Sequence, residues 1–487
     1  MTTTYTSAYA GAQLGDVCVL GLGKTGRDVA LYLAALAQLD EPRVASVTLY
    51  GGAKSEEGPA VDELRAHGVR VVTGTEEVTG SYDLTVASPG IPEGSAFMRA
   101  AMAASREVVS EPEFAWRESP ERWVAITGTN GKTTTTTLAT ALLRAGGLDA
   151  EAVGNIGTLV TGELKDRGEQ EWFVAELSSF QLALASYLHP RVACLLNITP
   201  DHLSWHGSME AYAAAKECLF TRLDTDGARD LAVISVDDHW CADIAARVAA
   251  RGVRTCLLSV EREPEGPCAA FLRQGALVVR LDGVEHLLGT AADMPLKGAH
   301  NAQNMLAASA LALDLGVADA DVSRCLAGFA PLEHRIEPCG TIGAVALVND
   351  SKATNVDSTL KALTSFEAGR LVCLLGGHDK GTDLDELAAL AAACCRGVVC
   401  FGAAGERIAE AMEPAAAGTP CAVVRAPHLA EALDAGLALA QPGDTVLLSP
   451  ACASFDEFSG FEERGRVFKQ LVAERMAAQR SEEGEAR

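Results

Sequence analysis

The sequence predicts an α/β protein of about three domains, built on mostly parallel sheets covered by helices on both faces. Three observations carry that expectation. Short apolar runs recur along the chain and end in Gly, Ser or Thr turns. Ala-rich stretches with helical periodicity follow them. The chain has 487 residues, which at about 150 per domain suggests roughly three domains.

In order, the runs are Asp16-VCVLGLG, Trp123-VAITGTNGK, Trp172-FVAELSS, Arg191-VACLLNIT, Ala344-VALVNDS, Arg370-LVCLLGG, Gly397-VVCFGAAG and Asp444-TVLLSPA. They are continuously apolar rather than alternating, as strands buried on both faces are. Ligands of such sheets lie at the carboxyl ends of the strands. Most of these runs end in the polar and Gly-rich residues that such a site needs. Ser110-EPEFAWRESPER, polar and Pro-containing, reads as a linker before a fresh strand. Phe329-APLEHRIEP marks a second break. The predicted domains are therefore 1–110, 111–331 and 332–487. From about Val260 to Leu288 the pattern alternates and carries Gly-Pro and Asp-Gly turns, which predicts a small antiparallel insert. Leu387 to Cys395 is Ala-rich but too short to span a membrane, so a buried helix is expected there. The charged tail Ser481-EEGEAR is expected to fray.

Composition narrows the function. Hydrophobic residues make up 48% and charged residues 22%, an ordinary globular balance. Acids outnumber bases 65 to 40, for a net charge of −25. Proteins that coat nucleic acids or membrane surfaces lean on clustered Lys and Arg, so neither partner is expected. The fourteen cysteines are scattered and form no CxxC pair. The first residues lack the pattern of a signal peptide. Free thiols in a reducing cytoplasm are expected.

Gly128-TNGKTT follows Val124-AIT and precedes Leu138-ATALLRA, the strand-loop-helix context of a phosphate-binding loop. Gly128, Thr129, Asn130, Gly131, Lys132, Thr133 and Thr134 would then surround an anion at a helix N-terminus. Lys132 would neutralise the outer phosphates, and the Thr133 hydroxyl would reach Mg²⁺. The general motif wants its first Gly where Ile126 stands. An ordinary turn with an exposed lysine is the alternative. Gly21-LGKTG matches G-x-G-x-x-G after Val17-CVL. No acid stands at the tip of the next strand, Val47-TLYGG, where a dinucleotide site wants one. Lys24 and Thr25 suggest phosphate contact without a nicotinamide cofactor; a tight turn and a dinucleotide site are the alternatives.

Glu176 ends an apolar run, where a carboxylate is costly unless paired or coordinating. Mg²⁺ takes carboxylates together with phosphate oxygens. Hydrogen bonds to loop amides are the other explanation. His202 follows Cys194-LLNIT, and Lys216 lies in Met209-EAYAAAKECLF. Composition alone gives a locally bonded turn histidine and a solvated lysine. Arg335 offers a planar cation for phosphate. Asp350 and Lys352 would read a ribose or phosphate, or form a surface ion pair. Lys380 lies in a Gly-rich turn. The spacing of Phe455, Phe458 and Phe461 suits a helix core, with a ligand wall as the alternative.

Taken together, these residues resemble the Mur ligase family, the ATP-dependent amide-forming enzymes of peptidoglycan precursor synthesis. The likeness spans nearly the whole chain. Gly128-TNGKT looks like the family's ATP loop, and Glu176, His202 and Lys216 match its Mg²⁺ positions. His300-NAQN and Glu333-HR match further motifs. Ser88-PGIP, Gly154-NIG, Glu176-LSSFQL and Leu448-SPACASFDEF resemble the members that add D-glutamate to UDP-N-acetylmuramoyl-L-alanine. Another Mur-type or folylpolyglutamate-type ligase is the near alternative. An NAD-dependent oxidoreductase, or a nucleotide-binding module without turnover, is the distant one.

The resemblance implies a Rossmann-like first domain for the UDP substrate, a central P-loop ATPase-like domain with a small antiparallel insert, and a Rossmann-like last domain for the amino acid. It implies that Gly23, Lys24, Thr25, Gly26 and Ser88 meet the UDP-muramoyl substrate, with Asn155 and His202 nearby. Lys132 would hold the ATP phosphates, and Thr133 with Glu176 one Mg²⁺. His202 and a carbamylated Lys216 (N6-carboxylysine) would hold a second. Asn304, Arg335, Asp350 and Lys352 would contact ATP. Thr354, Lys380, Ser454, Phe455 and Phe461 would surround D-glutamate. Lys132, Glu176, His202, Lys216 and Lys380 would form the catalytic set. Tyr50 would stack on the uracil, since polar readers are missing after that strand. The enzyme would be cytoplasmic, would take small-molecule partners only, and would work as a monomer. Its end domains would close on hinges near residues 110 and 331.

Overall fold

The apolar runs form the centres of three sheets, of five, nine and six strands. The structure is a computed structural model and describes residues 11–224, 229–329, 333–378 and 381–485. Two compact units result. One comprises residues up to 294 with 301–328 and holds the first two sheets. The other comprises 295–300 with 329–487 and holds the third.

The first sheet contains β1 (Gly15–Leu20), β2 (Val44–Tyr50), β3 (Arg70–Val72), β4 (Leu84–Ala87) and β5 (Val108–Ser110). Its order is β3-β2-β1-β4-β5, all parallel. Strand order reverses between β1 and β4, so Gly21-LGKTG and Ser88-PGIP leave the sheet side by side. That crevice is where doubly wound sheets bind ligands.

The second sheet contains β6 (Trp123–Thr127), β7 (Ala150–Gly154), β8 (Trp172–Glu176), β9 (Val192–Leu195), β10 (Leu231–Ser235), β11 (Arg254–Ser259), β12 (Ala269–Arg273), β13 (Ala276–Leu281) and β14 (Val284–Thr290). Its order is β14-β13-β12-β11-β10-β9-β6-β8-β7. The strands run parallel up to β12, and β12, β13 and β14 then pair antiparallel. These last three are the antiparallel insert read from the alternating sequence. β6 is central and wholly buried; Trp123 meets Phe173 edge-on at 5.6 Å.

The third sheet contains β15 (Glu337–Ile342), β16 (Val345–Asn349), β17 (Leu371–Gly376), β18 (Cys395–Phe401), β19 (Ala422–Arg425) and β20 (Thr445–Ala451). Its order is β15-β16-β20-β17-β18-β19, with only β15 antiparallel. The Ala-rich segment forms the helix Asp385–Cys394, packed on this sheet.

Four expectations need correction. The stretch after Ser110 is not an open linker: Glu111–Glu118 is a helix whose first seven residues are buried. Its acids are absorbed by partners. Glu111 accepts from Thr161 N at 2.7 Å and Thr161 Oγ1 at 2.8 Å. Glu113 accepts from Ser186 N and from Tyr187 N and pairs with Arg117. Glu118 pairs with Arg43 at 2.7 Å. The helix is thus tied to both sheets of its unit. The second expected hinge falls at 330–332, outside the described residues. Phe455 and Phe458 lie in turns, not in a helix; only Phe461 is helical, beginning Phe461–Glu485. That helix also carries through most of the tail expected to fray. Tyr50 is 1% exposed and its hydroxyl donates to Thr79 O at 2.8 Å, so it is a core residue rather than a stacking platform. All fourteen cysteines are free thiols.

Candidate active site

β6 ends at Thr127, and the chain turns through Gly128 and Gly131 into the helix Lys132–Ala145. Gly131 has φ of +83° and caps the helix; a side chain there would collide with Asn304 Oδ1. Asn304 is 3% exposed and accepts from Thr135 Oγ1 at 3.2 Å, so it buttresses the loop. Two residues that sequence reasoning missed complete the loop's frame. Asn197 accepts from Thr129 N at 2.9 Å and, through Oδ1, from Asn130 N at 2.8 Å. Thr199 N donates to Thr129 Oγ1 at 3.0 Å. Lys132 Nζ donates to the carbonyls of Gly128 (2.9 Å) and Thr129 (2.8 Å), which keeps its ammonium at the loop. Thr133 and Thr134 follow in the first helical turn, where unpaired amides and the helix dipole favour phosphate.

Glu176 ends β8, in register with Ile126 of β6 and Gly154 of β7. It is 2% exposed. Its Oε1 accepts from Asn155 Nδ2 at 2.8 Å, and its Oε2 is buried with no hydrogen-bond partner. A buried carboxylate oxygen left unpaired is costly and fits a cation ligand. The Asn155 amide in the turn after β7 therefore accounts for one oxygen of Glu176 and leaves the other unexplained.

Lys216 is not a solvated lysine. It is 1% exposed, and its Nζ donates to Gly128 O at 2.8 Å and lies 4.6 Å from the Tyr212 ring centre. Burial, followed by the nearby Lys132 charge, pushes its amine well below the usual lysine value. Asp201 and Glu176 act on it in the opposite sense, which places both acids within electrostatic reach. His202 sits in the left-handed region at φ +55°, with Asp201 Oδ2 3.5 Å from its Nε2 and the Phe180 ring at 4.7 Å. The Thr129 and Tyr212 hydroxyls share a bond of 3.0 Å. Thr129 thus joins the phosphate loop both to the Asn197–Thr199 segment ahead of His202 and to the helix carrying Lys216.

Among the described residues, no three His, Cys, Asp or Glu side chains form a cation-binding group. A metal here would draw on Glu176, the Thr133 hydroxyl, His202 and phosphate oxygens, with Lys216 only if it became an anion. The oxygen donors of that set, together with phosphate, suit Mg²⁺.

In the first sheet's crevice, Gly23 caps the helix Lys24–Ala37. A side chain at Gly26 would strike the Gly21 carbonyl. Lys24 Nζ donates to Gly157 O at 2.9 Å, bringing this loop to the Asn155 turn. Thr25 lies half-buried beside it. Ser88 Oγ is buried without a partner. Gly26 thus packs beside Ser88, and Lys24 reaches the turn that begins at Asn155.

In the other unit, Asp350 is 6% exposed and follows β16. It accepts from Ser449 Oγ at 2.7 Å and from Ile336 N at 3.3 Å. Burial raises its carboxyl to about 7, against the pull of Ser449 and Arg335. It is no surface ion pair. Lys352 Nζ lies 4.3 Å from the Phe461 ring centre, and Thr354 N donates to Lys352 O. Ser454 is buried, whereas Phe455 is 70% exposed. Lys380 lies outside the described residues. Cys452 is 4% exposed in the core, where it packs the turn.

A phosphate loop beside a buried carboxylate with one unpaired oxygen and a buried lysine points to the class: an α/β enzyme that handles a nucleoside triphosphate. Comparison with known proteins narrows it. Residues 126–312 match the Mur ligase middle domain, and residues 334–452 match the Mur ligase glutamate ligase domain. The UDP-N-acetylmuramoylalanine–D-glutamate ligase of Koribacter versatilis is 39% identical over 94% of this chain and 96% of its own length. Its counterpart from Geobacillus kaustophilus is 37% identical over 94% of this chain and 97% of its own. The chain belongs to the Mur ligase family. MurF from Acinetobacter baumannii shares the fold with a TM-score of 0.59 at 18% identity, over 92% of this chain and 98% of its own. The UDP-N-acetylmuramate–alanine ligase MurC from Thermotoga maritima does so with 0.55 at 19%, over 94% and 99%.

Proposed function

We propose that this chain is an ATP- and Mg²⁺-dependent ligase that joins D-glutamate to UDP-N-acetylmuramoyl-L-alanine in peptidoglycan precursor synthesis. The observation that carries the reading is the unpaired Glu176 Oε2 beside the phosphate loop. The full-length likeness to D-glutamate ligases supports the choice of substrates.

A carboxylate is a poor acyl donor because its leaving group would be oxide. Phosphorylation by ATP yields an acyl phosphate, which the amine of glutamate attacks to form the amide. Positioning and charge neutralisation are the main demands. Lys132 binds the outer phosphates, and the loop amides orient them. Thr133, Glu176, His202 and a carbamylated Lys216 are the residues that would hold Mg²⁺. Bound there, Mg²⁺ would screen the repulsion between the substrate carboxylate and the γ-phosphate. Asn304, Arg335, Asp350 and Lys352 serve ATP. Thr354, Lys380, Ser454, Phe455 and Phe461 serve D-glutamate. Gly23, Lys24, Thr25, Gly26, Ser88 and Asn155 serve the UDP substrate. In this reading 1–110 is the UDP-substrate domain, 111–331 the ATP domain and 332–487 the amino-acid domain. No helix of the described residues is long and apolar enough to cross a membrane. A cytoplasmic enzyme acting as a monomer fits these small-molecule substrates.

The test is phosphate release from ATP with Mg²⁺ and UDP-N-acetylmuramoyl-L-alanine, with each candidate amino acid in turn. Release that needs D-glutamate and ignores L-glutamate is expected. Release with a different amino acid would keep the family and discard the substrate. No release with any amino acid would sink the reading.

A further inference from the structure

Arg464 is the fourth residue of the helix Phe461–Glu485 and is completely buried. Its guanidinium makes four hydrogen bonds from its five N–H groups, all of them to neutral acceptors. Nε donates to Ser351 Oγ at 2.9 Å, and Nη2 to Ser351 O at 2.8 Å. Nη1 donates to Cys452 O and to Ala453 O, at 3.1 Å each. No carboxylate of the described residues pairs with it; Asp456, Glu457 and Asp350 act on it only through space. Burying a cation without a counter-ion is costly in general, so such a group stays where its geometry is needed.

The geometry is a junction of three loops. Ser351 follows β16, and Cys452 and Ala453 follow β20. Gly377 follows β17, and a side chain there would collide with Ala453 O and stand 2.9 Å from Arg464 Nη1. His378 N donates to the same Ala453 carbonyl at 2.8 Å. Ser351 Oγ in turn donates to Phe461 O at 2.9 Å. The β20 loop starts from Ala451 at φ +60°, a conformation a non-glycine residue holds only under constraint. These are the carboxyl ends of adjacent strands, where such sheets bind ligands. Ser454, Phe455, Thr354 and Phe461 stand within three residues of the bonded atoms.

We propose that Arg464 is a positioning residue for the amino-acid subsite. Its fork fixes the β16 and β20 loops against Phe461, and the β17 loop joins them through Ala453 O, so the amino acid enters a site that is already formed. The inference rests on the reading of Ser454, Phe455, Thr354 and Phe461 as that subsite. Lysine would keep the charge but would not span both loops, because it lacks the planar fork.

The experiment compares Arg464→Lys and Arg464→Ala with the parent enzyme. Steady-state KM is measured for D-glutamate, ATP and the UDP substrate, alongside thermal unfolding. The KM for D-glutamate is expected to rise at least about tenfold in both variants, and that for the UDP substrate to change less than about twofold. Methylguanidinium is expected to lower the raised KM of Arg464→Ala. If the alanine variant fails to fold, the lysine variant carries the test. A folded lysine variant with an unchanged KM for D-glutamate, or with equal rises for all three substrates, would overturn the proposal. Parent turnover with another amino acid would sink the D-glutamate reading alone. The same KM comparison would then run on that amino acid, with the same two outcomes.

Discussion

The side-chain amide of Asn155 donates to Glu176 Oε1 at 2.8 Å, while Glu176 Oε2 has no partner. One oxygen is held by the protein and the other is left for a ligand. The backbone repeats the tie, since Asn155 N donates to Glu176 O at 2.8 Å. The residue expected to meet substrate therefore also aims the residue expected to meet metal.

Removing either member should appear in the Mg²⁺ dependence. Asn155→Ala leaves a buried oxygen unsatisfied, a loss of about 1–3 kcal/mol in general. Glu176 also loses the partner that aims it, and losing such a support of a metal ligand typically costs 10–100-fold in affinity, so the Mg²⁺ concentration for half-maximal turnover should rise by roughly 10- to 100-fold. Glu176→Gln should raise it further and lower turnover at saturating Mg²⁺. Mg²⁺-titrated phosphate release measures both. An unchanged Mg²⁺ requirement in Glu176→Gln would remove Glu176 from the metal site.

Lys216 offers a second test. Burial and the Lys132 charge favour its neutral amine, and a neutral amine is the form that takes up CO₂. With ¹³C-labelled CO₂, a carbamate carbon signal is expected from the parent enzyme and not from Lys216→Ala. Short carboxylates should restore part of the turnover of Lys216→Ala, as the anion they supply replaces the missing one. Absence of the signal together with absence of rescue would leave Lys216 a structural amine bonded to Gly128.

Much of this was legible in the sequence, and what was missed shares a cause. The phosphate loop was readable because strand, glycines and helix occur in one contiguous segment. The sheets were readable because strands covered on both faces are unbroken apolar runs. Glu111 and Glu113 were misread as linker residues because their partners, Thr161, Ser186 and Tyr187, lie 50 to 74 residues away. Lys216 looked solvated for the same reason: Gly128, its acceptor, is 88 residues distant. Arg464 carried no signal, since a charged residue among acids in a helical stretch reads as surface. Burial of a charge is decided by long-range pairing, which no local window contains.

Lys132 should be indispensable to chemistry and minor for the fold. Its ammonium meets the carbonyls of Gly128 and Thr129 within its own loop. Lys132→Ala should lower turnover by about 10²–10³-fold or more, the usual loss for one preorganised charge-stabilising group. Circular dichroism should be unchanged. Near-normal turnover would sink the assignment of the ATP loop.

Asp350 should leave a pH signature on stability. Burial raises its carboxyl from 3.8 to about 7 in the folded protein. Between those values the folded state holds a proton that the unfolded chain has released. Stability therefore falls as pH rises from about 4 to about 7, and levels off above. Below pH 4 both states are protonated and the neutral carboxyl costs nothing. Asp350→Asn removes this dependence, because an amide does not titrate. Relative to the parent, the variant should gain roughly 3 kcal/mol of stability between pH 5 and pH 8, at about 1.4 kcal/mol per unit over the two units that still titrate. Denaturant unfolding of both proteins at the two pH values measures the gain. Parallel profiles would mean that Asp350 is ionised throughout, with Arg335 and Ser449 outweighing its burial.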